Sequence, residues 1–207
     1  MIDTANFTIV DVETTGGSPY FNRIIEIGIL RVEKGEVVAK YQTLLNPLME
    51  LPEFITKLTG LRDEDLIHAP IFEDVKDEIL ELFEDSVFVA HNVGFDYDFI
   101  KEEFRRVGYG FDAQQLCTVR LSRALFPKEK HHNLGAIIER FEFQSDNRHR
   151  AFDDAKVLWD FLQMLDSKTE KSVLDKALER TMKKIPPKKQ QTMKDEVNIE
   201  YVPLEYD

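Results

Sequence analysis

A chain of 207 residues, 43% hydrophobic and 11% aromatic, can bury one substantial core, and two full domains would be crowded. No segment approaches the roughly 18 apolar residues of a membrane span, the N-terminus lacks a basic region followed by an apolar one, and the single Cys117 excludes an intramolecular disulfide, so a reducing, cytoplasmic location is expected. A formal charge of -12 would disfavour nucleic acid if evenly spread, but residues 50–85 hold 12 acids and 3 bases while residues 101–150 hold 7 acids and 10 bases, so a phosphate backbone still has a favourable face.

The stretches FTIVDV (7–12) and RIIEIGILRVE (23–33) are rich in β-branched residues and read as strands, with EKGE (33–36) turning the second into VVAKYQTLL. A mixture with helical spacing then runs to Phe83, and SVFVAHN (86–92) is a short apolar run typical of a buried strand. A helix starts near Phe95 and stops at Gly108; FDAQQLCTV (111–119) reads as another strand, and from Arg120 onward the pattern is helical. Asn133 is placed to cap LGAIIERF, and the apolar residues 155, 158, 159, 162 and 165 define the core face of a last long helix. From residue 168 the composition turns to Lys and Glu. A helix over 168–184, of open docking, and an extended tail over 185–207 are expected beyond a domain of residues 1–167.

Within this α/β pattern several carboxylates stand in unusual places. Asp11 and Glu13, two apart in a strand, point to one side and repel each other unless a proton or cation intervenes. They lie where an apolar strand runs into TTGG, the mouth of a sheet where α/β proteins build sites. Helical spacing aligns Asp96 with Ile100, Phe104 and Val107 and turns Asp98 outward; likewise Asp154 aligns with Leu158 and Leu162, and Asp153 takes the more exposed side. His149, in the polar stretch SDNRHR, can meet Asp154 only from a loop ahead of the helix, where it would serve as a base or a ligand. His131 and His132 lack an acid or cysteine at zinc-ligand spacing. Oxygen donors alone imply a hard divalent cation, Mg²⁺ or Mn²⁺, and the phosphoryl-oxygen chemistry that paired ions of this kind perform.

Five segments, VDVETTG (10–16), RIIEIG (23–28), LTGL (58–61), AHNVGFD (90–96) and HRAFDDA (149–155), occur in the order seen in the DEDDh 3′-to-5′ exonucleases. Over about residues 5–166 the chain resembles the epsilon proofreading subunit of bacterial DNA polymerase III and the exonuclease domain of PolC-type polymerases. The resemblance implies a ribonuclease H-like fold, with a five-stranded mixed sheet, its second strand antiparallel, flanked by helices. It implies two ions, Mg²⁺ or Mn²⁺, with Asp11 bridging both, Glu13 and Asp154 completing the first shell, Asp96 holding the second, and His149 as general base. By position it implies that Thr14, Thr15, Leu61 and Phe95 grip the terminal nucleotide.

The expected activity is removal of nucleoside 5′-monophosphates from single-stranded DNA 3′ ends, in proofreading or repair, with a DNA polymerase subunit as a further partner and no membrane. An RNA-trimming 3′-to-5′ exoribonuclease on the same fold stays open, because nothing in the motifs reads a 2′-hydroxyl. A silent module that binds nucleic-acid ends or a polymerase is the rival from another class; the five filled motif positions weigh against it.

Overall fold

A computed structural model of the chain describes residues 2–144 and 149–183. Five strands, β1 (Asn6–Thr14), β2 (Ile24–Glu33), β3 (Glu36–Leu44), β4 (Val87–Ala90) and β5 (Gln114–Cys117), form a mixed sheet in the order β3-β2-β1-β4-β5. β2 runs antiparallel to β1 and β3, whereas β1, β4 and β5 are parallel. The ribonuclease H-like architecture expected from the sequence is the one observed.

The hairpin between β2 and β3 turns on Lys34 and Gly35, both at positive φ, as the EKGE signal requires. β2 is buried on both faces along nearly its whole length, which accounts for a continuous apolar run in place of alternation.

Alternation along β1 sorts its side chains between two helical layers. Phe7 and Ile9 face one core, with α7 (Ala151–Lys168) and α8 (Lys171–Thr181); Val10 and Val12 face the other, with α3 (Phe72–Leu82) and α4 (Gly94–Arg106). Asp11 and Glu13 share the parity of Phe7 and Ile9, so they leave the sheet on the α7 side. At Gly28, opposite Asp11, a Cβ would lie 2.3 Å from the Phe152 nitrogen and 2.4 Å from the Ala151 carbonyl carbon. The missing side chain lets the first turn of α7 rest on the sheet.

Three features depart from the sequence pattern. The helical stretch before Phe83 is broken into α1 (Glu53–Thr59), α2 (Asp63–Leu66) and α3, because Gly60 takes a left-handed conformation and Pro70 lies in the connection to α3. β5 is shorter than read: Phe111 and Ala113 are buried in the core but precede the ladder, and α5 (Thr118–Leu125) begins directly at its end. The apolar core also continues past residue 167. α8 buries Leu174, Ala177, Leu178 and Thr181 and packs on α5 and β5, and the two-residue β6 (Met182–Lys183) pairs antiparallel with β5. The expected tail over 185–207 lies outside the described residues. Among those described, no helix is long and apolar enough to cross a membrane.

Candidate active site

Where β1 ends, the loop after β4 and the first turns of α4 and α7 enclose a cavity of about 220 Å³. Its lining brings together Asp11 and Glu13 from β1, Asp96 and Phe95 from α4, Asp154 from α7, and His149 just ahead of α7. Helix facing makes the selection. Asp96 and Asp154 are 3% and 4% exposed, whereas Asp98 lies in solvent and Asp153 is half-buried.

The Asp96 carboxylate accepts a hydrogen bond from the Val12 backbone N–H at 3.2 Å, which ties the start of α4 to β1. Burial, joined by the negative charge of Glu13, pushes its pKa up to about 8 against the opposing pull of backbone N–H groups. A carboxyl so placed is readily ionised at neutral pH only when a cation joins it.

On the other side, Glu13, His149 and Asp154 each offer one ligand atom, all within 4.8 Å of one another. Opposed ligands of a Mg²⁺ ion at ~2.1 Å stand ~4.2 Å apart, so the Glu13 and Asp154 oxygens are spaced to share one divalent ion; Asp11 is not part of this group, and His149 stands beside the two carboxylates. Here the residues present suit the ion chemistry that the sequence implies.

Other candidates take different places. Thr14 donates from Oγ1 to the Gly16 carbonyl, while Thr15 Oγ1 accepts from the Arg23 N–H and donates to Asn22 Oδ1, so both hydroxyls brace the loop after β1. Leu61 packs in a small apolar cluster with Ile25, Leu51, Ile55 and Leu66, apart from the residues that line the cavity. Phe95 reaches the cavity wall and leans on Phe99 with ring centroids 4.9 Å apart.

Four residues that the sequence reading passes over as site candidates also line the cavity, Val12, His91, Asn92 and Leu134. His91 Nδ1 lies 2.9 Å from the Thr118 hydroxyl, which also stands 3.2 Å from the Ala90 carbonyl and so ties the ring to the end of β4. The signal was a histidine at the end of a buried strand, five residues ahead of an inward acid.

Fold and cavity together define a class: a ribonuclease H-like α/β protein with a carboxylate-rich site at the end of its first strand. The exonuclease family model (RNase_T) matches residues 8–162, and the chain belongs to that family. It is 39% identical over 152 residues to the 3′-5′ exonuclease DinG of Staphylococcus epidermidis, covering 73% of this chain and 17% of that protein. It is 37% identical over 165 residues to the PolC-type DNA polymerase III of Caldanaerobacter subterraneus subsp. tengcongensis, covering 79% and 12%. The chain thus spans under a fifth of the length of either relative. The nuclease domain of 3′hExo, a DEDDh family member bound to rAMP, has the same fold, with a TM-score of 0.68 at 19% identity over 80% of this chain and 94% of that one. The resemblance carried by the five motifs is borne out.

Proposed function

We propose that this chain is a metal-dependent 3′-to-5′ exonuclease that removes nucleoside 5′-monophosphates from single-stranded DNA ends. The observation that carries the reading is the convergence of four carboxylates and His149 on one cavity in which the Asp96 carboxyl is held at about 8. Asp11, Glu13 and Asp154 would hold one divalent ion, and Asp11 with Asp96 a second. When bound, such ions polarise the scissile phosphoryl group and ease the ionisation of water.

The chain's own residues supply the rest. His149, in the position that the family motif gives to the base, takes the proton of the attacking water and must be neutral to do so. Phe95 and Leu134 add apolar wall to an otherwise polar cleft. On this reading a free 3′ terminus is the part of the strand that enters the cleft, as the resemblance to the DEDDh exonucleases implies. The names of the DinG and PolC relatives support DNA as the substrate and replication or repair as the setting, with a polymerase subunit as partner.

Digestion of matched single-stranded DNA and RNA oligonucleotides, labelled at the 5′ end, with Mn²⁺ and with excess EDTA, tests this reading. A ladder of 3′-shortened DNA that EDTA abolishes is expected. Faster digestion of RNA would make the chain an exoribonuclease, and binding without cleavage would make it an end-binding module.

A further inference from the structure

Glu26 is an acid in a strand buried along nearly its whole length, 0% exposed and directly opposite Glu13 in the β1–β2 ladder. Two carboxylates side by side across a ladder repel each other, and a buried one needs a partner. It has two. Gln42 donates from Nε2 at 2.8 Å, and Arg150 donates from Nε to both carboxylate oxygens at 3.1 and 3.0 Å and from a terminal nitrogen at 2.9 Å. The Glu26 oxygens thereby face Arg150 and Gln42 rather than the cavity, which leaves Glu13 as the ligand of the pair.

Arg150 is also the residue between His149 and α7. Its carbonyl accepts the Asp154 N–H at 3.0 Å, opening the helix, while its side chain reaches down to β2. His149, just before it, sits at φ 62°, a left-handed conformation that a residue with a Cβ keeps only where its surroundings hold it. Ala151, just after it, is fully buried above Gly28. Backbone and guanidinium together anchor the point from which the His149 ring is presented.

We propose that Arg150, clamped on the buried Glu26 carboxylate, is a positioning residue that holds the His149 ring against Glu13 and Asp154; its kinetic side rests on the exonuclease reading above. Outer partners that orient functional side chains are commonly worth about 10- to 100-fold in activity.

The test uses the intact chain with Arg150→Gln, Arg150→Lys and the double change Glu26→Gln with Arg150→Met, which removes both charges at once and so avoids stranding a buried carboxylate if the single change unfolds the protein. Each is made with and without His149→Ala. The first readout needs neither metal nor substrate: the ring carbon–proton signal of His149 in ¹³C-histidine-labelled protein, assigned by its absence in His149→Ala. A shifted or broadened His149 signal, with the His132 signal unmoved, is expected in the clamp variants. The second is single-turnover hydrolysis of a 5′-labelled oligothymidylate with Mn²⁺. The rate should fall about 10- to 100-fold with KM unchanged, Arg150→Lys should restore part of it, and the loss should vanish in the His149→Ala background. An unmoved His149 signal, or a rate loss that persists in full without His149, overturns the proposal. If the wild-type chain cleaves no oligonucleotide, the exonuclease reading falls and the ring signal alone decides the clamp.

Discussion

Gly28 and Phe152 touch backbone to backbone: a Cβ on Gly28 would stand 2.3 Å from the Phe152 nitrogen. Neither partner can yield by rotating a side chain, so the contact sets how deeply α7 settles on β1 and β2. Gly28→Ala must lift the first turn of α7, and Asp154 with it, away from Asp11. Displacement of about 1 Å at a reacting centre costs on the order of 10²-fold, and overpacking of this kind costs about 1–3 kcal/mol. A nuclease assay and a thermal melt on the same preparation check both. Unchanged kcat would show that the site tolerates a raised helix.

Each inward acid has a neighbour of identical chemistry that serves as its control. Asp154→Asn should remove most activity and Asp153→Asn little; the same contrast is expected between Asp96→Asn, buried, and Asp98→Asn, exposed. Surface changes at Asp98 should leave stability within about 0.5 kcal/mol. Initial rates and melting temperatures of the four variants decide it, and a larger loss from Asp153→Asn would sink the assignment.

The raised pKa of Asp96 has a thermodynamic sign. Burial favours a proton on this carboxyl in the folded protein up to about pH 8, while the unfolded chain sheds it near the ordinary aspartate value of 3.8. The folded state thus binds more protons between those limits, and stability from this group is lost as pH rises through the window. Divalent cations bind the ionised form, so their stabilisation grows over the same range and binding releases a proton. Melts from pH 5 to 9 in EDTA and in MnCl₂ should diverge with pH, and Asp96→Asn should flatten the divergence. Parallel curves would contradict the assignment.

Sequence composition set residues 168–184 apart from the domain, yet Leu174 and Leu178 are 1% exposed in the main core. Leu178→Ala should cost about 2–5 kcal/mol, and a chain ending after Lys168 should melt lower or precipitate. A truncated protein with unchanged melting temperature would show that α8 docks without stabilising.

What could be read in advance followed from local rules. β-branched runs mark the strands, EKGE marks the hairpin, and the i, i+4 spacing alone separates Asp96 from Asp98. The apolar positions 174, 177 and 178 carry the same helical signal for α8, but the Lys and Glu around them dominate the composition of the segment. The Glu26–Arg150 pair spans 124 residues, and no spacing rule connects such partners. Only the odd presence of an acid between Ile25 and Ile27 hinted that Glu26 had one.

The carboxylates come from the first strand, from α4 in mid-chain and from α7 near the end of the fold, and α7 packs chiefly on β1 and β2. During synthesis the acidic pair on β1 leaves the ribosome long before Asp154 is added. The centre is assembled by the docking of a late helix onto an early hairpin, a closure of high contact order. On the exonuclease reading proposed above, a chain stopped before α7 lacks Asp154, and the candidate site is complete only once the whole domain has been made.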